Sequence, residues 1–295
     1  MRHKFIFILI LALTTSCSFN SKFLLPSKLP SQTRRIILDT PKDTIILYFS
    51  DNIHQPTFIK NGDTMDMPYT IESVMFKSAN GNLLNGWFLK PKNKTATITL
   101  LHLHGNAGFL LSQIQGISPL LKNGFQIFLF DYSGFGFSEG KATRDNVLID
   151  ANSALDYLKT RPDVKDTKLV IYGQSLGGHL AAVVAAQRQN DIDGLVVEGA
   201  FSSHKDIAAT EAGFIGRILV KQGYSATKSI RQFHKPLLVI HSTEDKEIPF
   251  YMGKKIFDNA NEPKEFYAIK NCHICGPQFY SDEISDKIKT MLTKK

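Results

Sequence analysis

The segment Gly173-Gln174-Ser175-Leu176-Gly177-Gly178 sets a serine between glycines at G-x-S-x-G spacing, after the apolar run Leu169-Val170-Ile171-Tyr172 and before an alanine-rich stretch. That order fits a sharp strand-to-helix turn, in which the serine takes a strained backbone conformation and its neighbours lack side chains because the chain passes close to itself. By composition alone the pattern arises in about one chain in ten of this size, so its position carries more weight than its letters. A serine hydroxyl is a weak nucleophile. It needs a base to take its proton and an acid to orient that base.

Nine histidines compete for the role of base. In serine hydrolases of alternating β/α topology the acid and then the histidine follow the serine, each after a later strand. The apolar run 237–240 leads into His241-Ser242-Thr243-Glu244-Asp245-Lys246-Glu247-Ile248-Pro249, and the run 265–269 leads into Lys270-Asn271-Cys272-His273. His273 is the one histidine after this acidic cluster. Asp245 is read as the orienting acid, with Glu244 and Glu247 as close competitors and Glu198, after an earlier strand, as a third. The segment His102-Leu103-His104-Gly105-Asn106-Ala107-Gly108 follows another apolar run, where a backbone N–H can face a developing oxyanion together with the N–H of Leu176. Asn106 is assigned that donor, with Ala107 as the alternative. His104, by its place in the chain, is read as packing its loop. Asp131 and Ser138, in the glycine-punctuated stretch 130–140, are read as structural.

Strands must carry these residues. Short β-branched or aromatic runs at 45–49, 71–76, 83–89, 98–103, 126–130, 169–172, 195–197, 237–240 and 265–269 are predicted strands. The Ala79-Asn80-Gly81-Asn82 punctuation predicts an antiparallel hairpin. Beyond His104, helical spacing at 144–160, 176–189 and 284–292 separates the strands, which implies a mainly parallel sheet covered on both faces. In such sheets reactive groups gather at the carboxyl ends of the strands, where each candidate above lies. The segment 202–235, with the apolar patch Phe214, Ile215, Ile218, Leu219 and Val220, is expected to form a small helical cap over the site.

The succession H-G-N-A-G, D-Y-S-G-F-G-x-S-E-G, G-Q-S-L-G-G, E-D-x-x-I-P and a final histidine resembles the α/β-hydrolase superfamily, in the branch of BEM46-like and ABHD13-like serine hydrolases, over about residues 70–292. The resemblance implies an α/β-hydrolase fold, Ser175 as nucleophile, Asp245 as acid, His273 as base, and Leu176 with Asn106 as oxyanion donors. It implies carboxylic-ester hydrolysis through an acyl-enzyme, with no metal and no cofactor. Peptide or amide cleavage by the same triad is the alternative, and a non-catalytic envelope protein that binds a lipid or a partner protein is the alternative of another class. Two positions depart from the family pattern: Ser242 and Cys272 stand where glycine is common. Cys272 and Cys275 bracket His273, an arrangement that fits neither haem attachment nor a complete zinc site and leaves a redox pair, whose disulfide would fix or displace His273 and tune activity, or simple packing.

The amino terminus reads as an address. Met-Arg-His-Lys precedes an apolar run, 5–13, too short to cross a bilayer, and then Thr14-Thr15-Ser16-Cys17. This resembles a bacterial lipoprotein signal, with Cys17 lipidated and Ser18 directing outer-membrane, periplasm-facing placement. The expected organisation is a signal peptide (1–17), a tether (18–43) holding three prolines, and one hydrolase domain (44–295) acting as a monomer on a small acyl ester or lipid-like substrate. Of 295 residues 43% are hydrophobic and 21% charged, the composition of a globular protein with a sizeable core. The net charge of +8 falls to +6 without Arg2 and Lys4; with basic residues only in pairs, this points to a membrane surface rather than nucleic acid.

Overall fold

The computed structural model describes residues 23–39 and 43–293; Cys17 and the signal sequence lie outside them. The first strands are β1 (Leu25–Pro26), β2 (Arg35–Asp39), β3 (Thr44–Ser50), β4 (Gln55–Lys60) and β5 (Asp63–Thr64), of which β2 to β5 form an antiparallel sheet in chain order. There follow β6 (Tyr69–Lys77), β7 (Leu83–Pro91), β8 (Ile98–Leu103), the two-residue β9 (Ala107–Gly108), β10 (Phe125–Phe130), β11 (Lys168–Gln174), β12 (Gly194–Glu198), β13 (Leu237–Ser242) and β14 (Lys264–Ile269). The eight-stranded central sheet has the order β14-β13-β12-β11-β8-β10-β7-β6. The pairs from β14 across to β10 are parallel, whereas β7 runs antiparallel to both β10 and β6. The predicted hairpin closes β6 and β7, with Gly81 at φ 92° and its N–H on the Ser78 carbonyl at 2.9 Å.

The helices are α1 (Leu110–Ile117), α2 (Arg144–Thr160), α3 (Leu176–Gln187), α4 (His204–Leu219), α5 (Ala226–Ser229), α6 (Phe250–Asn259) and α7 (Gly276–Thr293). Alternation along the strands sorts the core into two layers. Leu101, Phe128, Ile171, Val197 and Val239 pack with Val147 and Leu155 of α2, Leu180 of α3 and Met252 of α6. Their chain neighbours Leu100, Ile127, Val170, Val196 and Leu238 pack on the opposite side with Ile114 of α1 and Ile288 of α7. Burial on both faces is why these strands read as unbroken apolar runs, each side chain contributing about 1.5–3 kcal/mol. Local signals set the helix starts: the Thr143 hydroxyl accepts the Asn146 N–H at 3.1 Å, and the Ser203 hydroxyl accepts the Asp206 N–H at 3.1 Å.

The expected tether differs over residues 23–39. β1 pairs in parallel with β9, Lys28 bridges to Gly136, and β2 pairs along its length with β3. Two-residue pairings carry no periodicity, and the prolines at 26 and 30 fall where the strand pairing ends, so this strap is invisible to pattern reading. The cap forms as expected from α4 and α5, but α4 is broken at Ala212 and Gly213 (φ 59°, ψ −149°) and its two halves fold against each other, Gly216 lying on the Ala208 carbonyl. The apolar patch within it is divided: Val220 is buried, whereas Phe214, Ile215 and Ile218 are exposed.

Candidate active site

Ser175 ends β11 and caps α3 at φ 56°, ψ −119°, a conformation costing about 1–3 kcal/mol that the surroundings must impose. They do so through contacts no side chain would survive. A Cβ on Gly177 would strike the Leu103 carbonyl, one on Gly173 the Gly177 carbonyl, and one on Gly178 would lie 2.8 Å from Ala200. These clashes explain the flanking glycines of the motif. Ser175 is further fixed by its N–H on the Glu198 carbonyl at 2.9 Å. The N–H of Leu176 belongs to the first turn of α3 and has no acceptor within the helix, which leaves it to serve an anion.

His273 lies on the loop between β14 and α7. Its Nδ1 is 2.6 Å from Asp245 Oδ2, and a carboxylate only accepts, so Nδ1 carries the hydrogen and Nε2 keeps its lone pair. Asp245 is the acid that the structure joins to the histidine. Its other oxygen accepts the N–H groups of Glu247 (2.9 Å) and Ile248 (2.8 Å). Burial opposes its ionisation, but hydrogen bonds from His241 and His273 outweigh that and hold the carboxyl well below the usual carboxylate range. His241, fully buried, has Nε2 at 2.9 Å from the Ile248 carbonyl and 3.4 Å from Asp245 Oδ2, so it braces the acid from behind. Sequence reasoning passed over His241; its signal was its place at the end of β13, four residues before Asp245.

Ser175 and His273 are both seated on the end of β12. Ser175 binds the Glu198 carbonyl, and a Cβ on the next residue, Gly199 (φ 56°), would lie 3.1 and 3.2 Å from two imidazole atoms. The Ser175 hydroxyl makes no hydrogen bond to the imidazole in this structure; such bonds commonly tighten only with substrate in place. Glu198, a competitor for the acid, turns away from the histidine. Its carboxylate takes the Tyr172 hydroxyl (2.8 Å), the Gln174 amide (2.8 Å) and the Gly276 N–H (2.7 Å), and Gln174 also reaches the Ile274 carbonyl at 3.2 Å. Burial raises the pKa of Glu198, offset in part by these donors. It clamps the loop that carries His273 rather than orienting its ring. Cys272 and Cys275 are joined by a disulfide, with Cα atoms 5.7 Å apart, so the loop is closed on either side of the base.

The two departures from the family pattern fall on one seam. Ser242 Oγ donates to the Asn271 carbonyl (2.7 Å) and accepts the Glu244 N–H (3.1 Å), while Glu244 Oε2 accepts the Asn271 N–H (3.0 Å). Glu244 thus ties the acid's loop to the base's loop, and Glu247 faces the cavity instead.

Asn106, Ser175 and Leu176 line one cavity of about 620 Å³ with Phe23, Phe201, Ile207, Ala208, Ala212 and Ile248, a largely apolar wall with Glu211, Lys246 and Glu247 at intervals. Asn106 is held by its carbonyl on the Leu25 N–H at 2.7 Å, while Ala107 is exposed. His104 is buried, with Nδ1 on the Gly105 carbonyl at 2.8 Å and its ring against Tyr132; burial pushes its pKa down to about 3, so it stays neutral. Asp131 accepts the Leu110 N–H (2.9 Å) at the start of α1, and Ser138 Oγ donates to the Asp131 carbonyl (2.6 Å), both structural as expected. Among the described residues no cluster of His, Cys, Asp or Glu is placed to hold a metal ion, and no helix is long and apolar enough to cross a membrane.

This fold, with a serine elbow, an acid and a histidine at successive strand ends, defines the class: the chain belongs to the α/β-hydrolase superfamily. The alpha/beta hydrolase fold family matches residues 98–224, which include the elbow and the Asn106 loop but end before Asp245 and His273. The chain is 35% identical over 271 residues to the uncharacterized protein YfhR of Salmonella typhi, covering 84% of this chain and 88% of that one. Protein bem46 of Schizosaccharomyces pombe is 31% identical over 191 residues, 62% of this chain and 64% of its own. Among solved structures, the Pyrococcus furiosus esterase Pf2001 superposes with a TM-score of 0.66 at 16% identity, covering 92% of this chain and 97% of that one, which is a likeness of fold.

Proposed function

We propose that the protein is a serine hydrolase that cleaves carboxylic esters through an acyl-enzyme. The observation that carries this reading is the pre-oriented His273–Asp245 pair, held at the same strand end as the strained Ser175 beside an apolar cavity. Ser175 Oγ attacks the ester carbonyl as His273 Nε2 takes its proton. The oxyanion settles between the N–H groups of Leu176 and Asn106, each worth about 10²–10³ in rate. His273 then protonates the leaving alcohol, and water activated by the same imidazole releases the acid. Asp245 stays ionised and holds the ring. The apolar wall, with Phe23, Phe201, Ile207, Ala208 and Ile248, suits an acyl chain, which favours an ester over a peptide.

The reading extends to the amino terminus: Cys17 carries a lipid that anchors the mature chain, as a monomer, to the periplasmic side of a bacterial outer membrane. A fluorophosphonate probe, which requires an activated serine, tests the chemistry. Labelling of the wild type, lost in Ser175→Ala, supports it; no labelling of folded wild type favours a non-catalytic binding protein. A chain-length series of acyl esters beside peptide amides separates esterase from peptidase. Intact mass of the membrane-extracted chain, with and without Cys17→Ser, tests the anchor.

A further inference from the structure

Phe214, Ile215 and Ile218 are the most exposed large apolar side chains among the described residues, at 75%, 67% and 61%. Their spacing puts them on one face of the second half of α4. That face is held outward by construction. The break at Ala212–Gly213 reverses the helix, Gly216 packs on the Ala208 carbonyl, and Arg217 Nη1 binds Asp206 Oδ1 at 2.7 Å. An apolar cluster fixed in this way on an otherwise well-packed molecule marks an interaction surface.

Its charge surroundings and the course of the chain indicate the partner. Lys205, in the first turn of α4, and Lys221, two residues past its end, are exposed, Asp206 is matched by Arg217 and Lys255, and Glu211 faces the cavity. The described chain begins next to this cap: the Phe23 ring lies edge-on to His204, the first residue of α4, at 5.3 Å, and lines the Ser175 cavity. Five residues lie between Cys17 and Phe23, six steps along the chain with a reach of at most about 20 Å when fully extended. We propose that the outer face of the cap, Phe214, Ile215 and Ile218, inserts into the headgroup region of an anionic phospholipid bilayer and brings the Ser175 cavity to that surface, where its substrate is an amphiphilic ester drawn from the lipid. The proposal rests on the reading of Cys17 as the anchored residue and of Ser175 as the nucleophile. Basic residues around an apolar helix face are the composition that such interfacial binding uses.

The test places a tryptophan at the face. Full-length protein, extracted from membranes and reconstituted into phosphatidylethanolamine–phosphatidylglycerol vesicles with brominated acyl chains, is compared as Phe214→Trp, Ile218→Trp and Lys165→Trp; residue 165 is exposed near the start of β11, at the opposite end of the sheet, and native Trp87 is buried. Emission from positions 214 and 218 is expected to shift to the blue and be quenched, and that from 165 is not. No quenching at 214 and 218 in vesicle-bound protein overturns the proposal, as does equal quenching at 165, failure to float with vesicles, or a concentration-dependent blue shift without lipid, which would make the face a contact between copies. A second arm reads function: Phe214→Ser/Ile218→Ser keeps its thermal midpoint and its rate on a short water-soluble ester, and loses about 10-fold in rate on an ester embedded in vesicles. Equal loss on both esters overturns the substrate claim. Quenching does not depend on hydrolysis, so a failure of the serine chemistry appears as lost fluorophosphonate labelling with quenching intact.

Discussion

The floor of the site and its cap are built from opposite materials. The floor consists of strand ends locked by buried polar bonds: Glu198 to Tyr172, Gln174 and Gly276, and Asp245 to His241, His273 and two backbone N–H groups. Glycines bring the backbones together where any side chain would force them apart. The cap is a broken helix tied down mainly by Asp206, which receives Arg217 and Lys255 and the Ser202 hydroxyl, and it leaves large apolar groups in solvent. Chemistry tolerates errors of well under an ångström, so it is placed on the rigid part. On the proposed function, recognition of an ester chain needs a surface that can be reshaped without disturbing Ser175, Asp245 and His273.

Substitutions in the two regions should therefore separate rate from recognition. The largest effect is expected from Ser175→Ala or His273→Ala, with kcat/KM reduced by about 10⁴-fold or more and thermal stability unchanged, since removing one triad member removes most of the triad's work. Asp245→Asn, assayed on the same short ester, is expected to lose about 10⁴-fold in kcat because its amide no longer fixes the Nδ1–H tautomer. Gly199→Ala tests whether the floor is rigid. Its Cβ at 2.8 Å from Ile274 and 3.1 Å from the imidazole should displace the base and lower kcat about 10²-fold with little change in KM; an unchanged kcat would show that the floor yields. Glu198→Gln keeps the shape of the clamp but weakens its bonds, and a loss of about 1–3 kcal/mol in urea unfolding with a rate decrease of about 10-fold is expected.

The smallest effect belongs to the cap. Burial disfavours the Asp206 carboxylate, yet Lys255, Ser202, Ser203 and Arg217 hold its pKa below the usual range. A folded-state pKa below the unfolded one means stability that is present above about pH 4 and lost as pH falls through the folded value. Asp206→Asn should accordingly flatten the dependence of the urea midpoint on pH below about 5, and raise KM a few-fold on long-chain esters while leaving kcat on a short ester alone. A drop in kcat on the short ester would mean that the cap, too, holds the triad.

The same contrast governs what could be read from the amino-acid order. The floor was legible because its strands are buried on both faces and its candidate residues follow in chain order: the run 98–103 coincides with β8, residues 144–160 with α2, and Ser175, Asp245 and His273 lie just after the ends of three strands. Partner choice among carboxylates was not legible. Glu198 ends β12 and Asp245 follows β13, and only the direction of each side chain makes one a clamp on the 272–276 loop and joins the other to His273. His241 escaped notice for the same reason. In the cap the helical pattern was visible but its break was not, because one glycine in a helical stretch does not announce a positive φ; the outward turn of Phe214 follows from it. β4 was missed behind Pro56, which occupies a strand position that pairs with Phe49.

The strap that joins β1 to β9 has a practical consequence. Leu25 holds the carbonyl of Asn106, and Phe23 forms part of the cavity wall, so a chain shortened to begin near residue 44, the expected start of the domain, would lack both. Such a protein would present an Asn106 loop without its bond from Leu25 and a cavity without the Phe23 part of its wall. The useful boundary for a shortened form therefore falls before residue 23. A comparison of the two lengths would measure how much the strap contributes to turnover.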